Sequence, residues 1–151
     1  MDKLEKLDKK YFIFGTMLLA ANKMQTLLDR ELAPSDITAK QWFLTSSIKY
    51  LFEEPPTLNE LSKAMGNSHQ NVKQVALKLE KKGFLKMEKD LKDSRAIRLK
   101  LTEKNHEFWS RNPEGPENFL SRIFSDLSEE EMVSFMSILD KFQKSLEKQE
   151  A

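Results

Sequence analysis

The stretch MGNSHQNVKQVALKLEKKGFL (65–85) begins with side chains that can hydrogen-bond to nucleic acid and ends with lysines. Its apolar residues Val72, Val75, Ala76 and Leu79 follow at i, i+3, i+4 and i+7, the spacing of one buried stripe on a helix. A hydrophobic core has no use for the polar side chains that open the stretch, which are Asn67, Ser68, His69, Gln70 and Asn71. The pattern therefore predicts a short amphipathic helix whose outer face binds a partner.

Recognition of DNA is the task that suits these side chains. Gln and Asn pair bidentately with adenine in the major groove, and the first turns of a recognition helix make such contacts. We predict that Gln70, Asn71 and Gln74 read base edges. Ser68 and His69 can bind either phosphate or base, and Lys73 and Lys78 suit phosphate. The alternative interpretation, a solvated helix with polar residues at its start, is the commoner one for a helix considered alone.

Another helix is predicted directly before this one, in TLNELSKAMG. Thr57 and Glu60 have the spacing of a capping box, and Gly66 is a natural residue to end the helix. Either Asn67 or Ser68 then caps the helix that follows. Two helices joined by a tight, glycine-containing turn form the helix-turn-helix pattern.

The periodicity changes from 3.6 to 2 after this pair, which indicates strands. FLKMEK (84–89) and AIRLKL (96–101) are predicted to pair as a hairpin, with DLKDS as its polar tip. Ile97 and Leu99 are expected to face inward because apolar and polar residues alternate. A two-stranded ribbon in this place is a wing.

The remaining candidate contacts lie on this wing. An Arg on a protruding loop can enter a narrow, A·T-rich minor groove, where the potential is most negative. Arg95 has that position, and Asp93 is placed to brace its guanidinium. Lys92 and Arg98 complete the predicted DNA-binding set. The alternative is that Asp93 and Arg95 form a surface ion pair that only stiffens the hairpin, worth at most about 1 kcal/mol.

The charge distribution supports DNA as the partner. The 151 residues carry 25 basic and 24 acidic side chains, so the net charge is only +1. Residues 57–101, however, contain eleven basic and five acidic side chains, a net charge of +6, whereas residues 102–151 have a net charge of −5. Positive charge confined to one region is the electrostatic footprint of phosphate binding.

Long helices are predicted on both sides of this region. The first spans about 3–31, with one face formed by Leu4, Leu7, Tyr11, Phe14, Leu18, Ala21, Gln25 and Leu28. Apolar residues on several of its sides indicate contact with a partner subunit. A second helix, 38–53, is capped by Thr38, and Trp42 and Phe43 are interpreted as core.

The C-terminal part is also predicted to be helical. Thr102 caps a fifth helix, and NPEGP (112–116) breaks or kinks it because two prolines and a glycine disfavour a continuous helix. Ser128 and Glu131 form a further capping box at the start of the last helix. That helix carries a continuous apolar stripe, formed by Met132, Phe135, Met136, Leu139, Phe142 and Leu146.

With the wing in place, the sequence resembles the MarR family of bacterial winged-helix transcription regulators. The matching segments occur in the order and spacing of the family and are ITAKQW (37–42), PTLNELSKAMGNSHQNVKQ (56–74), LEKKGFL (79–85), DSRAIRLKLTEK (93–104) and LSEEEM (127–132). The chain departs from the family at Asn105, where Gly is usual, and at NPEGPENF, which interrupts a helix that is often continuous. The resemblance implies obligate homodimers that bind palindromic operators, and many members lose DNA affinity when a small ligand binds.

The predicted fold is mainly α with a two-stranded β-wing, as a single MarR-type domain over 1–151. A winged helix-turn-helix (38–102) is flanked by N- and C-terminal dimerisation helices, within 1–34 and 104–151. We expect a homodimeric regulator of double-stranded DNA, with repression of a palindromic operator and release by a small-molecule ligand as the family pattern. The apolar run at 11–21 is about half the ~20 residues that a membrane span needs. A cytoplasmic protein without a membrane partner is therefore expected.

Other functions fit the sequence less well. We expect no enzyme, no metal site and no cofactor, because the chain has no Cys, no Gly-rich phosphate loop and only His69 and His106 as histidines. The main alternative is a winged-helix adaptor that binds protein, which would not need a charge of +6. RNA binding ranks third, since no aromatic-studded sheet is predicted. Aromatic and Met side chains at helical spacing can line a ligand pocket, but they more often form core. The candidates are Met17, Met24, Trp42, Phe43, Phe108 and Trp109.

Overall fold

The computed structural model describes residue 3 and residues 6–150, which form seven α-helices, one 3-10 turn and a two-stranded antiparallel sheet. These elements divide into two compact units, one ending at Pro116 and one beginning at Glu117. Every helix among the described residues is too short or too polar to cross a membrane. The assignment of 1–151 to a single domain, with its dimerisation and DNA-binding parts, stays a prediction.

Helix α1 spans Lys9–Leu32 and begins later than predicted. The Asp8 carboxylate accepts a hydrogen bond of 3.0 Å from the amide of Lys10 and caps the helix there, so Leu7 precedes it. Leu4 lies outside the described residues. Within α1 only Leu28 and Leu32 are buried, and most apolar side chains of its earlier turns are exposed.

Helix α2 spans Ala39–Leu51 and is capped as predicted by Thr38, whose hydroxyl accepts from the amide of Gln41. Its buried face runs through Leu44, Thr45 and Ile48. Trp42 is half-buried. The interpretation of Phe43 as core is wrong, because this position lies off that face and its side chain is 50 % exposed.

Helix α3 spans Leu58–Met65 and helix α4 spans His69–Lys81. The capping box of α3 is confirmed: the Thr57 hydroxyl accepts from the amide of Glu60 at 3.2 Å, and the Glu60 carboxylate accepts from the amide of Thr57 at 2.7 Å. Gly66 ends α3 with φ +62°, a left-handed conformation that favours glycine. Ser68 is the residue that caps α4. The core of this unit lies where α2, α3 and α4 meet the sheet, and its fully buried members include Leu44, Leu61, Val72, Leu79 and Leu99.

The hairpin consists of β1, Leu85–Lys89, and β2, Ile97–Leu101, and Met87 pairs with Leu99 at its centre. Each strand starts one residue later than predicted. Leu99 is fully buried, and its amide donates to the carbonyl of Pro56, so the segment before α3 attaches to the wing.

The predicted break after α5 is confirmed. Helix α5 spans Glu103–Arg111, and α6 begins at Glu114 and ends at Ile123, so only two residues of NPEGP lie outside a helix. Helix α7 spans Glu129–Glu150 and starts with the predicted capping box, because the Ser128 hydroxyl accepts from the amide of Glu131 and the Glu131 carboxylate accepts from the amide of Ser128.

Candidate nucleic-acid interface

Helix α4 presents the predicted DNA-reading residues on its exposed side. Val72, Ala76 and Leu79 are buried and fix the opposite face. The polar residues that lie exposed are Ser68, His69, Gln70, Asn71, Gln74 and Lys78, while Lys73 is half-buried. The amphipathic pattern of the sequence therefore places these side chains together on one outward surface.

The side chains at the start of α4 are held to different degrees. The Ser68 hydroxyl accepts from the backbone amide of Asn71 at 3.2 Å, and the Asn71 side-chain amide donates to the side-chain oxygen Oδ1 of Asn67, also at 3.2 Å. Within the described part of the chain, by contrast, no hydrogen bond occupies the side-chain amides of Gln70 and Gln74. These two amides keep all their donors and acceptors for a base edge.

Polar contacts tie the far end of α4 to its neighbours. Lys82, the residue after the helix, donates to the backbone carbonyl of Asp36 and to the side chain of Gln41, the latter at 3.1 Å. The Glu80 carboxylate accepts from the amide of Met87 in β1 at 2.7 Å. The helix is thus fixed to α2 at its end and to the wing along its side.

At the wing tip the structure brings Asp93 and Arg95 together. An Asp93 carboxylate oxygen accepts from the backbone amide of Arg95 at 3.0 Å and lies 3.5 Å from its Nε. The Arg95 side chain is 92 % exposed, so it projects away from the protein. Lys92 is exposed beside it.

Arg98 lies in β2, one pair before the tip end of the hairpin, and its guanidinium binds other groups of the protein. Its Nε donates to an Asp90 oxygen at 2.6 Å, and Nη1 donates to the Pro55 carbonyl at 2.7 Å. Nη1 also lies 4.0 Å from a Glu60 oxygen. The hydrogen bond from Arg98 holds the pKa of the Asp90 carboxyl below its usual range, and the same bond raises the pKa of Arg98.

Asp90 is a residue that reasoning from the sequence missed. Its second carboxylate oxygen accepts from the amides of Lys92 and Asp93, at 3.3 and 3.0 Å. Its own amide donates to the carbonyl of Ala96 and closes the hairpin. The available signal was an Asp directly after a strand, since such residues often bond to backbone amides two or three positions later.

Two open pockets lie in the N-terminal unit. One, of about 430 Å³, lies among the end of α1, the start of α2, and α4, and its lining includes Lys40, Gln41 and Lys78. The other, of about 520 Å³, lies between the end of α1 and the break after α5, and Trp109 lines it. Phe108 contacts Trp109 edge-on at 4.9 Å between ring centroids. None of the other predicted lining residues borders either pocket.

Comparison with protein-family profiles finds no match to the chain. Among curated proteins, the transcriptional repressor MprA of Escherichia coli (strain K12) is 35 % identical over 92 residues, which are 61 % of this chain and 52 % of that protein. The chain thus matches about half the length of this curated relative.

Solved structures correspond to a larger share of the chain, at lower sequence identity. A MarR protein from Peptoclostridium difficile superposes with a TM-score of 0.80 at 21 % identity, covering 95 % of this chain and 92 % of that one. A mutant MarR from E. coli complexed with operator DNA superposes with a TM-score of 0.75 at 21 % identity, covering 86 % of this chain and 92 % of that one. These likenesses confirm the predicted fold class, mainly α with a two-stranded wing, and show the fold of MarR proteins.

Proposed function

We propose that this chain, which has the MarR-type winged-helix fold, is a sequence-specific regulator of transcription that binds double-stranded DNA as a homodimer. The observation that carries the proposal is the outward row of free amides and lysines on α4, within a region whose net charge is +6. The related MprA is named a transcriptional repressor, and this supports repression of a palindromic operator. We assign the protein to the cytoplasm and to a non-enzymatic role.

In the proposed complex α4 lies in the major groove. Gln70, Asn71 and Gln74 contact base edges there, because amide side chains match the donor and acceptor pattern of adenine. The hydroxyl of Ser68 and the imidazole of His69 contact base or phosphate. Lys73 and Lys78 contact phosphates and fix the position of the helix on the duplex. The wing reaches the neighbouring minor groove through Lys92 and Arg95.

Homodimerisation is the second part of the proposal. Helix α7 has no buried residue, and its exposed apolar side chains include Val133, Phe135, Met136 and Ile138. Helix α1 exposes Tyr11, Phe14 and Leu18 in the same way. A second copy of the chain is the occupant that would cover such faces, and a two-fold dimer would present two copies of α4 to half-sites about one DNA turn apart.

Release by a small ligand is the third part. The pocket of about 430 Å³ includes Lys78 of α4 and Gln41 of α2 in its lining. A molecule bound there would contact both the DNA-facing helix and the start of α2. A shift of α4 on binding would lower DNA affinity.

Salt dependence of duplex binding tests the proposal and separates it from the protein-adaptor alternative. Full-length protein is titrated into a labelled duplex of random sequence at several salt concentrations, and fluorescence anisotropy gives the Kd. We expect log K to fall with log salt at a slope of roughly −0.9 per phosphate neutralised. An adaptor would show a slope near zero and weak binding. Sedimentation of the same sample at micromolar concentration must show a dimer, and a monomer would contradict the second part.

A further inference from the structure

Where the strands of the wing run into its tip, Asp90 and Arg98 belong to a network of charged and backbone groups that the proposed DNA contacts do not use. The Arg98 guanidinium bridges the Asp90 carboxylate and the carbonyl of Pro55, which lies just before the capping box of α3. Thr57 of that box also pairs with Arg98 through the backbone as an isolated β-bridge. One side chain thus connects the wing with the helix-turn-helix.

The same network reaches the wing tip through Asp90. One oxygen of its carboxylate binds Arg98, and the other accepts from the amides of Lys92 and Asp93. Asp93 in turn holds the backbone and Nε of Arg95. A continuous chain of hydrogen bonds therefore leads from Pro55 to the arginine at the tip. The Asp90 side chain is only 14 % exposed and that of Arg98 37 %, whereas the Arg95 side chain is almost fully exposed.

We propose that Asp90 and Arg98 are positioning residues that set the direction in which the wing tip, and Arg95 on it, meets the minor groove. This inference rests on the proposed function, and in place of the DNA contact predicted for Arg98 from the sequence it gives this residue a role that acts through Asp90. A narrow groove attracts a guanidinium only where the side chain enters it, so the orientation of the tip determines the preference for A·T-rich flanks.

Simple electrostatics predicts the opposite result for one substitution. Asp90→Asn removes a negative charge from a DNA-facing wing, so loss of charge repulsion alone would tighten binding to every sequence. Loss of the ionic bond to Arg98 would instead loosen the tip and weaken binding at A·T-rich flanks. The sign of the change therefore distinguishes a positioning role from a bulk charge effect.

The matched substitutions follow from the geometry. Arg98→Lys keeps the charge, but one ammonium cannot reproduce the planar, two-sided contact with Asp90 and Pro55. Glu88→Gln is the control, because Glu88 lies opposite Arg98 in the hairpin and forms an ion pair with Lys86 at 3.0 Å. It removes one negative charge from the same wing and leaves the network intact.

The test measures the Kd of the full-length dimer for two duplexes that share one selected core and differ only in the A·T content of their flanks. The preference for A·T-rich flanks is the Kd for the duplex with A·T-poor flanks divided by the Kd for the duplex with A·T-rich flanks. We expect Asp90→Asn and Arg98→Lys each to reduce this ratio by roughly threefold to tenfold, the range that corresponds to one net hydrogen bond. The Glu88→Gln variant should keep the wild-type ratio, and the salt slope of Arg98→Lys should equal that of wild type.

A second readout on the free protein needs no DNA. Backbone ¹⁵N heteronuclear NOE values of Lys92, Asp93 and Arg95 should fall in Asp90→Asn and Arg98→Lys and stay unchanged in Glu88→Gln. Tighter binding of Asp90→Asn to both duplexes, or loss of NOE with an unchanged Kd ratio, would overturn the inference. Wild-type protein that binds neither duplex would refute the proposed function and the flank preference together, while the NOE values still report whether the pair orders the tip.

Discussion

Helix α4 and the wing tip are both proposed to contact DNA, but the protein holds them in place by different means. The orientation of α4 depends on Val72, Ala76 and Leu79, all buried in the core. At the tip, Leu91 is fully exposed, and order depends on Asp90, Asp93 and their backbone partners. Apolar burial involves no charge that salt can screen or pH can titrate, whereas ionic hydrogen bonds near the surface are sensitive to both. We therefore expect the orientation of the base-reading helix to change little with salt and pH, and the orientation of the wing tip in the minor groove to change with both.

The largest effect should come from breaking the apolar support of α4. Leu79→Ala removes most of a side chain that is 1 % exposed, and we expect it to lower the free energy of unfolding by about 2–5 kcal/mol because a cavity remains. Urea denaturation followed by circular dichroism measures this. Leu77→Ala is the control on the same helix, since Leu77 is 47 % exposed. If Leu79→Ala lowered the free energy of unfolding no more than Leu77→Ala does, the buried apolar face would not be what holds α4 in place.

The next effect concerns the tip itself. Arg95→Ala should cost about 1.5–3 kcal/mol of DNA affinity at A·T-rich flanks and clearly less at G·C-rich flanks, because the guanidinium loses a charged hydrogen-bonding site in a narrow groove. Arg95→Lys should recover part of the loss, and Asp93→Ala should do less harm because the positive charge stays. Competition binding on paired duplexes provides the comparison. Equal losses on both duplexes would make Arg95 an ordinary phosphate contact.

A smaller effect is expected where α4 is anchored by polar groups. Lys82→Met removes the contacts with Asp36 and Gln41 and should lower the free energy of unfolding by about 1 kcal/mol, a value discounted for partial exposure. Lys81→Met at the neighbouring exposed position is the matched control in the same urea experiment. If both substitutions had the same effect, the anchor would contribute nothing to stability.

The smallest effect is a dependence of wing order on acid. Because the folded-state pKa of Asp90 is depressed, its contribution is present above the pKa of an unfolded Asp, about 3.9, and is lost as pH falls through the lower folded value. The ¹⁵N NOE of Lys92 and Asp93 should therefore be flat from pH 7 to about pH 4 and decline below it. In Asp90→Asn the decline should be absent. If the NOE values of the wild type did not decline below about pH 4, this would contradict the role assigned to the Asp90 carboxylate.

Local rules explain what the sequence alone could predict. The capping boxes at Thr57 and Ser128 involve residues three positions apart, and the break after α5 follows from Pro113, so each was predictable without tertiary information. The exposure of Phe43 does not follow from the sequence alone, because the helices packed against α2 decide which of its faces is buried. The guanidinium of Arg98 donates to a carbonyl 43 positions away, a contact that periodicity does not reveal.

Selection of bound sequences from random duplex DNA tests the central claim, that α4 reads bases through its amides, most directly. The full-length wild type and the variants Gln70→Ala and Lys73→Ala are each taken through the same selection. We expect a palindromic consensus for wild type. For Gln70→Ala we expect relaxed preference at symmetry-related base pairs, a loss of about 1–3 kcal/mol per bidentate contact. For Lys73→Ala we expect an unchanged consensus with weaker binding. No consensus for wild type, or the same consensus after the loss of Gln70, would contradict the account.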